Sequence, residues 1–235
     1  MTNNDSIPKR RGLAISWPMA AAFMAIWIVA VVGFAHQANR NVELGRQLQQ
    51  QEERIADQAE RIAYLEDRLR VLEAVEDLQT NLSHDDEARL AADIYEVSQE
   101  HQLPPLLIVA VIKVESSFGT DAVSIMGARG LMQVKPSTGR WVASQVGWEW
   151  PSDDALFEPD FNLRVGTRYL ADLCRQFGCV ENALVAYNRG ETVVRESLQK
   201  GRSLPYSYTR RVMDAFNDLR LRYGAPRIPL TAPCL

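Results

Sequence analysis

The sequence predicts an all-α protein built from a membrane-spanning helix, a long charged helix and one helical domain. Three observations lead there. An uncharged stretch covers residues 13–35, a seven-residue apolar repeat follows it, and residues 83–235 are punctuated by helix caps and prolines. The chain has 235 residues, 46% hydrophobic and 24% charged, with 13 Gly, 11 Pro and 3 Cys. That composition excludes a disordered chain, a collagen-like repeat and a dense disulfide scaffold. The formal net charge of −4 conceals an uneven distribution: 6 Arg against 10 acids in residues 40–82, then 17 basic against 19 acidic residues in 83–235. No basic patch is large enough for nucleic acid to be an expected partner.

Residues 1–12 are a short tail in which Lys9, Arg10 and Arg11 precede the apolar run. From Leu13 to Ala35 the run exceeds the roughly 20 apolar residues that a helix needs to cross a bilayer core. The next formal charge is Arg40, so the positive-inside rule keeps the N-terminus in the cytoplasm and exports everything after Ala35. Gly33-Phe34-Ala35 would also suit a signal peptidase, but signal cores usually run about 7 to 15 apolar residues. A permanent anchor is therefore the expectation.

Residues 36–82 form the second segment. A heptad places Leu48, Ile55, Ile62 and Leu69 at a, and Leu44, Gln51, Gln58, Leu65 and Leu72 at d. Arg61 and Arg68 at g then face Glu66 and Glu73 at e of a parallel partner, which predicts a coiled-coil homodimer. A single charged helix acting as a spacer is the alternative. About 40 helical residues would reach ~60 Å. Gly45 and the two Gln weaken the seam, and after Leu72 the spacing slips to Val75, Leu78 and Leu82.

Residues 83–235 make the domain. Ser83-His84-Asp85-Asp86 has the form of a capping box, and Leu90, Ile94, Val97 and Leu103 mark one apolar side of the helix it opens. Pro104-Pro105 starts a second helix, whose run Leu106–Ile112 is apolar all round; Gly119 is expected to close it. Glu115 sits one turn beyond Val111 and Ile112. A carboxyl on an apolar face is desolvated and holds its proton toward neutral pH, which is what a general acid needs. Gly127 and Gly130, followed by Gln133, suggest close backbone approach to a ligand.

In order, Glu115-Ser116, then Gly127-Ala128-Arg129-Gly130-Leu131-Met132-Gln133, then Ala186-Tyr187-Asn188, then Tyr208, the chain resembles the soluble-lytic-transglycosylase family of lysozyme-like enzymes over about residues 90–220. The resemblance implies a lysozyme-like helical domain that binds peptidoglycan glycan strands and cleaves the β-1,4 bond between N-acetylmuramic acid and N-acetylglucosamine. It implies Glu115 as the single acid and base, forming a 1,6-anhydro end without metal or cofactor. Ser116, Met132, Gln133, Tyr187, Asn188 and Tyr208 are the implied substrate-binding or Glu115-orienting residues. Thr209 stands where the family usually has an apolar residue, Tyr206 lies close enough to be confused with Tyr208, and Arg189 is bulkier than the usual small residue. The implied location is a bacterial inner membrane with the enzyme in the periplasm, where cell-envelope machinery is a possible partner.

A hydrolytic lysozyme needs a second carboxylate, for which Asp121 is the nearest candidate, and a non-catalytic peptidoglycan-binding scaffold is the remaining alternative. In Cys174-Arg-Gln-Phe-Gly178-Cys179 a Schellman cap at Gly178 would bring the two cysteines together, so an exported chain is expected to bridge them, with Cys234 a competitor for either.

Overall fold

Caps, prolines and apolar faces resolve into eight α-helices among the described residues, which in this computed structural model are 17–224 apart from Gln79 and Asn81. The basic tail, residues 13–16 of the apolar run and Cys234 lie outside the described residues. The order is α1 (Trp17–Glu76), α2 (His84–His101), α3 (Pro105–Glu115), α4 (Pro136–Val146), a 3-10 turn at Asp153–Phe157, α5 (Pro159–Phe177), α6 (Val180–Arg189), α7 (Glu191–Gln199) and α8 (Ser207–Arg222). Among the described residues there is no strand, only isolated bridges pairing Val123 with Arg129 and Arg129 with Val134. The all-α expectation holds.

Two compact units divide after Ile62. In the first, α1 is long and apolar enough to cross a membrane, with a mean hydropathy of 2.2 over its apolar window and no part of that window buried. The heptad aliphatics Leu44, Leu48, Ile55 and Ile62 are likewise exposed in the single chain. Pairs four residues apart, such as Gln47 with Glu43 and Gln49 with Glu53, decorate the remaining helix surface.

The second unit begins at Ala63, earlier than the expected boundary at Ser83. Its core takes in the last turns of α1: Val71, Ala74 and Val75 have no exposed surface, and Leu72, Leu78 and Leu82 pack against the same core. The heptad slip after Leu72 is where the helix stops presenting a seam and enters a globular interior. Ser83 caps α2 as expected, its hydroxyl accepting from the Asp86 N–H at 3.2 Å.

Helix α3 is the central element. Every side chain from Leu106 to Ile112 is buried, each of the Val, Leu and Ile residues contributing on the order of 2 kcal/mol on removal from water, and the helix's main partner is α8. The helix ends at Glu115 without help from Gly119. Ser117 and Phe118 take left-handed φ values of 51° and 66° instead, unfavourable for a bulky residue. Burial of Phe118, 2% exposed, holds the turn in place. Helix α5 closes at Gly178 (φ 70°), whose N–H bonds the Cys174 carbonyl at 2.9 Å. That bond is one a left-handed glycine cap makes, at the glycine the sequence singles out.

Candidate active site

Glu115 is the last residue of α3, immediately beyond the buried stretch. Desolvation pushes its carboxyl above the ordinary carboxylate range; a hydrogen bond from Tyr208 and the nearby Arg211 cation pull part of the way back. The Tyr208 hydroxyl donates to Glu115 Oε1 at 2.6 Å from a ring that is 3% exposed. One turn further along α8, the Arg211 guanidinium lies over that ring, 5.9 Å from its centroid. This carboxyl can hold a proton and, once it has released it, is stabilised by one donor and one cation.

The loop between α3 and α4 carries the glycine motif, and side chains from three helices pin its backbone. Ser116 Oγ, at the end of α3, donates to Leu131 O at 2.8 Å. Asn162 on α5 accepts from Met132 N–H at 2.8 Å and donates to Leu156 O at 2.7 Å and Arg129 O at 2.9 Å. From α6, the Tyr187 hydroxyl donates to Met132 O at 2.8 Å. Gln133, at a left-handed φ of 48°, uses its amide nitrogen on Ala122 O at 3.1 Å and Gly130 O at 3.0 Å. Both amide hydrogens are thereby committed within the loop, so what Gln133 can offer a ligand is an acceptor oxygen rather than donors.

Two expectations change here. Gly130 does make a close approach, but to protein: a Cβ on it would lie 2.2 Å from Leu156 O and 2.5 Å from Asn162 Nδ2. Met132 has no exposed surface and cannot line a cleft. Its sulfur accepts from Thr167 Oγ1 at 3.6 Å, and it packs on Gly166, where a Cβ would stand 2.7 Å from that sulfur and 3.2 Å from the Tyr187 hydroxyl. Met132 is a packing hub beneath the site. Tyr187 is partly buried beside it, Asn188 is exposed at the end of α6, and Asp121 is exposed in the loop.

Residues 94–208 match the family model for the transglycosylase SLT domain, a span that contains Glu115 and ends on its partner Tyr208. Those residues are an SLT domain. Over 107 residues, 41% of this chain, the sequence is 39% identical to the membrane-bound lytic murein transglycosylase C of Sodalis glossinidius. Over 75 residues, 31% of the chain, it is 47% identical to the membrane-bound lytic murein transglycosylase E of Buchnera aphidicola. These alignments span only 30% and 35% of the relatives' own lengths. A solved structure of an inactive mutant of the lytic transglycosylase Slt from Pseudomonas aeruginosa superposes with a TM-score of 0.53 at 26% identity, covering 70% of this chain and 28% of that one.

The SLT domain's departures from the family pattern have physical accounts. Tyr206 donates to Asn182 Oδ1 at 3.1 Å, so Tyr208 alone of the two reaches Glu115. Thr209, just past the last matched residue, is 3% exposed, and its hydroxyl donates to Glu181 O at 3.3 Å; a polar group at an apolar position is thereby satisfied. Arg189 is exposed. Asn162, Gly166 and Arg211 were not singled out from sequence. Asn162 had a signal, as an amide on the apolar face of α5 next to Leu163. So did Arg211, three residues after Tyr208 and hence on the same side of α8.

Proposed function

We propose that this chain is a membrane-anchored peptidoglycan lytic transglycosylase that uses Glu115 as both acid and base. The observation that carries the reading is the setting of Glu115: a desolvated carboxyl that accepts a hydrogen bond from Tyr208 and has the Arg211 cation nearby. Two-carboxylate hydrolysis needs a second acid within reach, and the loop candidate Asp121 is exposed.

Glu115 protonates the glycosidic oxygen as its bond to C1 of the muramoyl residue breaks. As carboxylate it then takes the proton of the muramoyl C6 hydroxyl, whose oxygen bonds to C1 and closes the 1,6-anhydro ring. Water is neither consumed nor released, and Glu115 ends protonated. Holding that hydroxyl beside C1 makes attack intramolecular, worth ~7 kcal/mol or more in ideal geometry. Ser116, Gln133 and Tyr187 support the reaction by fixing the loop against α3, while Asn188 and the Gln133 oxygen face the strand.

Mass spectrometry of products from purified peptidoglycan tests this. Anhydro-muramoyl ends, lighter by one water than reducing ends, are expected; reducing ends would mean a hydrolase, and no cleavage a binding scaffold. Replacing Tyr208 by Phe removes a donor that favours the carboxylate, so the Glu115 pKa rises further. The alkaline limb of the kcat/KM profile then moves to higher pH while the maximum falls about tenfold.

The N-terminal helix and the relatives' names support anchoring in a membrane, and the cations that precede the apolar run support an inner-membrane anchor with the domain in the periplasm. The exposed heptad aliphatics support a parallel homodimer, which sedimentation of the full chain in detergent would register as twice the monomer mass. An oxidising compartment also favours a bridge between Cys174 and Cys179, which peptide mapping under non-reducing conditions would show.

A further inference from the structure

Several arginines of the second unit hold a carboxylate. Arg129 pairs with Asp154 at 2.7 Å, Arg140 with Asp153, Arg168 with Asp172 at 3.0 Å and Arg195 with Glu191 at 3.0 Å. Arg211 is different. It makes no ion pair among the described residues, although Asp214 stands three positions further along α8, within helical reach. Its guanidinium lies instead over the Tyr208 ring, 5.9 Å from the centroid.

That contact puts a cation at the entrance to the site. Tyr208 is 3% exposed and gives its hydrogen bond to Glu115, whereas Arg211 is exposed and covers the same ring from the solvent side. The Arg211 charge also reaches Glu115, which keeps part of its own surface open. While Glu115 holds its proton it offers that cation no counter-charge, so the guanidinium stays available to an anion on the ligand.

The ligand read above supplies one. A muramoyl residue with C1 and C6 at Glu115 differs from N-acetylglucosamine in its lactyl ether on O3, whose carboxyl is the acid nearest to C1. In peptide-free strands that carboxyl is free and ionised at neutral pH; in peptide-bearing strands it is an amide without charge. Any further acid of a stem peptide lies at least one residue, about 3.8 Å, beyond it. A guanidinium beside Glu115 therefore meets the lactyl carboxylate before any other anion of the strand, and its planar fork of donors matches a carboxylate.

We propose that Arg211 pairs with the free lactyl carboxylate of the muramoyl residue at Glu115, and so selects peptide-free glycan strands over peptide-bearing ones. The proposal rests on a muramoyl glycan being the ligand of the domain, as read above. It also gives the protein a place in a reaction sequence. Hydrolysis of the amide between the lactyl group and the stem peptide must come first, because that step liberates the carboxylate.

The test is calorimetric titration of the full chain in detergent, carrying Glu115→Gln so that a neutral amide stands for the protonated acid and binding is read without turnover. The probe is one muramoyl tetrasaccharide in three forms: with free lactyl carboxyls, with those carboxyls converted to methylamides, and with stem peptides attached. The free acid is expected to bind about fivefold more tightly than the methylamide, and added salt to narrow the gap because the pair is open to solvent. Adding Arg211→Gln is expected to bring the two affinities together, while Arg211→Lys, which keeps the charge but not the fork, retains part of the preference. Equal binding of free acid and methylamide by the chain with Arg211 overturns the proposal, as does a preference that survives Arg211→Gln, or tighter binding of the peptide-bearing form. Should the free acid be preferred through Arg211 while the chain with Glu115 intact cleaves no strand, the catalytic reading fails and the pairing stands.

Discussion

Glu115→Gln should lower glycan cleavage about 10³-fold or more and, at the same time, stabilise the protein at neutral pH. The first effect follows from removing the carboxyl to which the proposed mechanism assigns both proton transfers. Gln keeps the shape and can still accept the Tyr208 hydrogen bond, so the loss is of chemistry rather than of fold. The second effect follows from linkage. Burial raises the folded-state pKa of Glu115 above its unfolded value. The stabilisation attached to its protonated form is fully present below the unfolded value and is lost as pH rises through the folded one. Wild type and variant should therefore melt together near about pH 4, with the variant melting higher by about pH 8. Equal melting temperatures at both pH values would contradict a desolvated carboxyl.

Asn162→Leu carries the second large effect. The side chain has no exposed surface and makes three hydrogen bonds, to Met132 N–H, Arg129 O and Leu156 O. Leu fills the volume but takes the side-chain partner from Met132 N–H and Leu156 O, while Arg129 O keeps the bond it accepts from Val134 N–H at 3.1 Å; at about 1 to 3 kcal/mol for each orphan, a loss of ~4 kcal/mol is expected. In a domain of this size that lowers the melting temperature by about 12 °C. Because the same bonds fix the loop that Ser116 ties to the end of α3, turnover of the surviving folded protein should also fall, about tenfold. Thermal melting together with kcat on peptidoglycan, measured well below the transition, separates the two effects. A variant that melts normally would show that the loop is held by other means.

The fold was largely legible because its signals are local. Ser83 with its acids, Pro105 at the head of an apolar run, and Gly178 after α5 each act within one helical turn, and each appears where the sequence places it. The resemblance likewise pointed to Glu115 and Tyr208, which come together across 93 residues of chain. What did not follow from the sequence was the direction of the other motif side chains. Ser116, Gln133 and Tyr187 turn toward backbone carbonyls of the Ala122–Gln133 stretch, and Met132 turns inward. Spacing tells which residues share a region, whereas the choice between ligand and backbone depends on partners distant in sequence. The end of α3 was misjudged for a related reason: a glycine is the local signal for a left-handed turn, but packing of Phe118 forces one without it.

The end of α1 sets a practical limit on how the protein can be divided. A soluble version cut at Ser83, where the composition changes, would discard Val71, Leu72, Ala74 and Val75 and open the core they fill. Burying two valines and a leucine is worth about 5 kcal/mol, comparable with the whole margin by which a domain of this size stays folded. A fragment beginning at Ala63 keeps that wall, and with it the contact of Tyr64 on Tyr95, ring centroids 5.3 Å apart. The last turns of α1 are thus a piece of the globular unit, and any protease or cloning boundary that treats them as linker removes part of that unit's own interior.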